Sequence, residues 1–256
     1  MDVLGVWDGH DAGVAWWRDG KYLCCLNEER ISREKRQAGF PSLALETLIA
    51  KEGLDPSRID LVAVPGRYGR SIMRFADSRY RAETAGQDPL SVASALVRNA
   101  DNAISKVPML RRFESEAGIS RVRSRLRRQG IYAPLASVQH HDAHAHTAAC
   151  TRNGNSLIVT LDGYGDGECG RLAYQTARER TLHVPGDSIA LVYGAVTNLL
   201  GFSEGDEGKV MGLAAHGDPT VLRNIFQHLL TPGSCCIDLR DSAMRRLLMT
   251  ARREDV

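Results

Sequence analysis

Residues 2–27 read DVLGVWDGHDAGVAWWRDGKYLCCLN, and this stretch decides the fold. Residues 2–8, DVLGVWD, have the length and apolar content of a short strand. Gly9-His10-Asp11 breaks it with a turn, and Val14–Trp17 reads as a second strand. Asp19-Gly20 is a strong hairpin signal, because both residues tolerate the positive φ that a tight two-residue connection requires. Lys21–Asn27, KYLCCLN, is the third strand. Three strands joined by turns this short form an antiparallel meander.

Outward from the meander, Pro41–Glu52 carries Leu43, Leu45, Leu48 and Ile49 at roughly helical spacing, with Gly53 as a stop. Ile59–Val64, IDLVAV, is a buried strand. Three strands, a helix and a strand are the opening half of a ribonuclease H-like lobe, so the fold class is α/β. Residues 91–129 read as helical and Arg-rich, and Val138–Ala149 as a helix or helix start. Ser156–Asp162 is a strand, followed by the glycine-rich DGYGDGECG and a further strand, Arg171–Gln175. Ser188–Leu200 and Gly208–Ala215 are helical. Strand, Gly-rich stretch and strand thus recur. The expected division is a first lobe over residues 1–150, holding a basic helical insertion at 67–130, and the beginning of a second lobe over 151–256.

The composition excludes several classes. With 43% hydrophobic and 25% charged residues over 256 positions, the chain is neither disordered nor a low-complexity fibre. A net charge of +2 excludes a polycation that binds nucleic acid by charge alone. The charge is uneven, since residues 67–130 hold 14 Lys and Arg against 6 Asp and Glu. Within them Arg121–Arg128 lacks interleaved aromatics, so a solvated amphipathic helix is expected ahead of a nucleic-acid patch. No apolar run approaches the ~20 residues of a membrane helix, and MDVLGVWDGH has no secretory pattern. The six cysteines include two vicinal pairs and no CxxC, which points to reduced thiols and a cytoplasmic location.

Four constellations carry chemistry. In Gln139–His146, QHHDAHAH, His140 and His144 stand at i and i+4 and share one helix face, a spacing that presents two imidazoles to one metal ion. Asp162, at the end of an apolar strand, is the best third ligand, while a His-rich helix cap is the alternative reading of the pair. Asp162–Gly170 places four glycines in nine residues, which suits close backbone approach to an anion; a hairpin tip has the same composition. Gly205–Gly217, GDEGKVMGLAAHG, keeps small residues around a polar group, or is a helix start with acidic capping residues. Asn27–Arg36 is a charge run at the rim of a strand, otherwise a solvated face.

Together these residues resemble the N-terminal domain of the NodU/CmcH/TobZ-type O-carbamoyltransferases. That domain is similar to the Kae1/TsaD threonylcarbamoyl-transfer fold within the actin-like ATPase group. Five motifs carry the resemblance in order: GHDAG…DG at 9–20, EERISREK at 28–35 with FP at 40–41, HHDAH at 140–144, LDGYGDG at 161–167, and SIALVYGAVTNLLGFSEGDEGKVMGLAAHG at 188–217. The resemblance implies that His140, His144 and Asp162 bind Fe(II) or another divalent metal. It implies catalytic roles for His10 and Asp206. It also places Lys35, Gly163, Asp162 and Lys209 among the residues that contact ATP or carbamoyl-adenylate.

By the same resemblance the reaction is carbamoyl transfer from carbamoyl-adenylate to a hydroxyl of a small-molecule or saccharide acceptor. Carbamoyl phosphate would enter through a YrdC-like domain. Neither that domain nor the family's fourth metal ligand, an Asp, has a counterpart between Gly217 and Val256. The second lobe is therefore expected to be incomplete, and a partner chain or a homo-oligomer is expected. A membrane is not expected as partner, nor is nucleic acid. The alternatives are TsaD-like tRNA threonylcarbamoyl transfer and a catalytically inactive binding fragment.

Overall fold

The computed structural model describes residues 1–66, 108–150, 155–166, 168–175, 180–184, 189–203, 205–220 and 223. Most of the expected basic insertion, residues 67–107, and residues 224–256 of the expected second lobe lie outside the described residues. The chain divides into two units, Met1–Ile72 with Met109–Ala143, and Met73–Pro108 with His144–Val256.

The first unit is built on a mixed sheet of order β3-β2-β1-β4-β5. Its strands are β1 (Asp2–Trp7), β2 (Gly13–Arg18), β3 (Lys21–Asn27), β4 (Leu61–Pro65) and β5 (Leu135–Val138). β1 pairs antiparallel with β2 and β2 with β3, which is the expected meander. β4 lies parallel to β1 and β5 parallel to β4. A central strand with an antiparallel meander on one side and parallel strands on the other is the ribonuclease H-like arrangement. Positive φ at Asp19 (50°) and Gly20 (77°) confirms the hairpin read from the sequence.

Along β1 burial alternates, with Leu4 and Val6 buried. They join Val14, Trp16 and Val62 in one core with Ala44, Leu45 and Leu48 of α2 (Ser42–Lys51) and Val122 and Leu126 of α3 (Pro108–Arg128). Val122 and Leu126, four residues apart, form the inward stripe of α3, while Arg121, Arg123, Arg125, Arg127 and Arg128 are exposed. That is the solvated amphipathic helix expected of this segment.

The charge run after β3 is not a plain solvated face. Glu28–Ser32 forms a short helix, α1. The Glu28 carboxylate, 3% exposed, accepts hydrogen bonds from the backbone N–H groups of Leu43 (3.0 Å) and Ala44 (2.8 Å). These belong to the first turn of α2, whose N-cap, Pro41, gives no side-chain hydrogen bond. A carboxylate 15 residues upstream thus caps the helix and meets the positive end of its dipole. Periodicity cannot signal a cap that comes from so far away.

In the second unit β6 (Ser156–Gly165), β7 (Glu168–Gln175) and β8 (Arg180–Val184) form an antiparallel meander of order β6-β7-β8. It repeats the strand order of β1-β2-β3. Two helices follow, α5 (Ile189–Leu199) and α6 (Glu207–Ala214). Among the described residues no helix is long and apolar enough to cross a membrane.

Two stability predictions follow from this packing. Glu28→Ala leaves two helix-start N–H groups without their acceptor and should lower unfolding free energy by about 2–4 kcal/mol in urea titrations. Glu28→Gln, which keeps one acceptor oxygen, should cost less. The second concerns Asp2, which is paired across the β1–β2 ladder with Arg18 through Nε (2.8 Å) and Nη2 (2.6 Å). The hydrogen bonds from Arg18 hold the Asp2 carboxyl below the usual aspartate range. A depressed folded value means that this stabilisation is complete above the unfolded pKa and fades as pH falls through the folded one. The stability gap between the native chain and Asp2→Asn should therefore be constant near neutrality and shrink on acidification below about pH 4.

Candidate functional site

The turn after β1 carries the first candidate, His10. Its Nδ1 lies 2.8 Å from Oδ2 of Asp11, and Asp11 sits at φ 53°, a left-handed conformation that Asp tolerates better than most residues. An imidazole held at Nδ1 by a carboxylate leaves Nε2 for proton transfer. Asp11 was not singled out by sequence reasoning, although its adjacency to His10 was the available signal.

The turn is braced by the charge run. Glu28 N–H donates to Ala12 C=O (2.8 Å), Ala12 N–H to Gln37 C=O (2.9 Å), and Gly39 N–H to Gly9 C=O (3.3 Å). The Asn27 side-chain amide donates to Asp11 C=O (3.3 Å). GHDAG and EERISREK, two separate motifs in sequence, therefore form one structural unit. Arg36 N–H in turn donates to Glu29 Oε2 (2.9 Å). Lys35 is exposed in the turn that follows α1.

Trp7, the last residue of β1, was also missed. Its indole packs edge-on against the His10 ring, with centroids 5.8 Å apart, and lies 6.3 Å from the His140 ring. Its Nε1 donates to His10 C=O at 2.5 Å.

The histidine cluster forms helix α4 (His140–Ala149) directly after β5. Gln139 begins it, its side-chain oxygen accepting from Asp142 N–H at 2.9 Å. His140 and His144 stand one turn apart on this helix, whereas His141 is fully buried. The i, i+4 pair and the separate fate of His141 are as the spacing requires.

In the second unit His144 Nε2 lies 3.6 Å from Asp162 Oδ2. Asp162 had been expected at a strand end. Strand β6 instead continues to Gly165, but its regular pairing with β7 stops at Leu161 and resumes at Gly165. Asp162 and Gly163 therefore occupy a bulge, a device that re-aims side chains next to functional sites. The second carboxylate oxygen of Asp162 accepts from Gly163 N–H at 2.6 Å. The glycine-rich stretch takes the hairpin form, with Gly165 paired to Glu168 and Asp166 at φ 54°. Two imidazoles and a carboxylate are a donor set suited to a borderline divalent ion such as Zn(II) or Fe(II).

Asp206 precedes α6 as its N-cap and accepts from Ser203 N–H at 3.3 Å. Lys209 Nζ lies 2.9 Å from Asp206 Oδ1, so these two candidates hold each other. The structure thus brings together His10 with Asp11 and Trp7, Trp7 with His140, His144 with Asp162, and Asp206 with Lys209.

The fold defines an α/β protein of ribonuclease H-like architecture, with His10, Asp11 and His140 around Trp7 and the turn that follows β1. Residues 2–247 match the family described as carbamoyltransferase N-terminus, and the chain belongs to that family. The nodulation protein NolNO of Sinorhizobium fredii is 28% identical over 225 residues, 85% of this chain and 29% of that protein. The nodulation protein NolO of Bradyrhizobium diazoefficiens is 37% identical over 93 residues, 35% of this chain and 17% of that one. The chain spans about a third of the length of the curated relatives it matches over most of its own residues. Among solved structures, YeaZ from Pseudomonas aeruginosa aligns with a TM-score of 0.34 at 13% identity, covering 72% of this chain and 68% of that chain.

The expected metal set assigns different roles to the neighbouring histidines His141 and His144. His144→Ala should lower the divalent metal bound per folded molecule severely. His141→Ala should leave that ratio nearly unchanged while costing thermal stability, since His141 is buried. Metal analysis of gel-filtered variants, alongside their unfolding midpoints, checks both.

Proposed function

We propose that the chain carries out the transfer half of an O-carbamoyltransferase reaction, moving a carbamoyl group from carbamoyl-adenylate to a hydroxyl of a small-molecule or saccharide acceptor. Membership of the carbamoyltransferase N-terminus family is the observation that carries this reading. The pairing of His10 with Asp11 in the first unit and of His144 with Asp162 in the second supports it.

His140, His144 and Asp162 would hold a divalent metal, Fe(II) in the first instance. When bound, the ion supplies Lewis-acid polarisation of phosphate or carbonyl oxygens. Lys35 and Lys209 supply positive charge for the adenylate phosphate, and the Gly163 backbone permits its close approach. The acceptor oxygen attacks the carbamoyl carbon, the bond from that carbon to the phosphate oxygen breaks, and AMP leaves with the bonding electrons. The hydroxyl proton passes to Nε2 of His10, while Asp11 holds Nδ1 and stabilises the imidazolium that forms. Asp206 is engaged by Lys209, so the proton is assigned to His10 and Asp206 orients ligands.

Activation of carbamoyl phosphate with ATP belongs, on this reading, to a separate YrdC-like domain. The purified 256-residue chain should release neither AMP nor pyrophosphate from carbamoyl phosphate and ATP. Adding a YrdC-like domain and a hydroxyl acceptor should restore AMP release. His10→Ala and Asp11→Asn should each lower that release by about 10²–10⁴-fold without loss of fold. Robust release by the chain alone, abolished by His144→Ala, would contradict the division of labour. Transfer to tRNA in place of a free hydroxyl acceptor would replace this reading with threonylcarbamoyl transfer.

A further inference from the structure

Trp7 has contacts that neither core packing nor the transfer reaction requires. It lies on the face of β1 opposite Leu4 and Val6, outside the hydrophobic core of the first unit. Three of its interactions converge on candidate site residues. Its indole meets the His10 ring edge-on, its Nε1 anchors the His10 carbonyl, and it lies against the ring of His140.

Gly9 adds an independent observation. It is not among the glycines with positive φ, so backbone conformation does not require glycine here. A Cβ at this position would instead run into the indole ring of Trp7. Gly9 therefore permits the indole to lie over the turn. The first glycine of the GHDAG stretch is explained by ring approach and not by turn geometry.

We propose that Trp7 is a positioning residue that sets His10 and His140 relative to each other, seated by the missing side chain of Gly9. The argument rests on the roles given above to the two histidines, because the ring sits between the proton acceptor and one metal ligand. A rigid indole tied to the His10 backbone restricts both imidazoles at once. A side chain that acts on a ligand in this way tunes metal affinity without touching the ion.

The test compares the full chain with Trp7→Leu and Gly9→Ala. The first removes the indole and the second displaces it. Histidine side-chain NMR correlations, assigned with His10→Gln and His140→Gln, read the two imidazoles directly and without metal. Both should shift in both variants, with His146 and His216 unmoved and the unfolding midpoint nearly unchanged. Titration with Co(II), read by its visible absorption, should show about tenfold weaker binding in Trp7→Leu. Unmoved imidazoles, or a shift of only one, would overturn the proposal, as would an unfolding midpoint that falls together with every histidine resonance. If the native chain takes up no Co(II), the metal reading fails, and the imidazole pattern alone upholds or overturns the role of Trp7.

Discussion

The buried carboxylate of Glu28 is the constraint on which the first unit depends. It terminates the meander, begins α1 and caps α2 through the Leu43 and Ala44 N–H groups. Helix α2 supplies Ala44, Leu45 and Leu48 to the core over β1 and β2. The same segment, through Glu28 N–H, Gln37 C=O and Gly39 N–H, closes over the turn that presents His10. One charged residue therefore links core packing to site geometry. Burying it is tolerable because both oxygens are satisfied at the positive end of a helix.

The repetition of the meander in the second unit has a chemical consequence. In both meanders a polar group follows the apolar run of the first strand, His10 and Asp11 after β1, and Asp162 and Gly163 in the bulge of β6. Strand ends and bulges expose backbone and side chains that a regular ladder would occupy. The two meanders carry different chemistry, an imidazole with its carboxylate partner after β1 and a carboxylate beside His144 in β6.

Much of this was legible in the sequence for local reasons. The meander was readable because β1 and β2 are apolar, and Asp19-Gly20 fixes the first turn. The i, i+4 relation of His140 and His144 followed from helix geometry alone. Strands β5 and β8 were not foreseen: LASV is only four residues long, and RTLHV is short and partly charged, so neither has a period to read. Helix α1 was hidden by its charges, which read as a solvated run, because the buried Glu28 side chain is satisfied by N–H groups of α2 far along the chain. Asp11 and Trp7 escaped because their roles are pairwise, and a hydrogen bond to the next residue or a ring over a glycine leaves no periodic trace.

The central claim is that α4 and the β6 bulge supply one metal-binding set of two imidazoles and a carboxylate. X-ray absorption of the Fe(II)-loaded chain tests it most directly. The expected result is a first shell containing two imidazole nitrogens with oxygen, at ~2.0–2.2 Å as for N and O ligands of such ions, reduced to a single imidazole in His144→Ala. An all-oxygen shell, or a two-imidazole shell that survives His144→Ala, would contradict it.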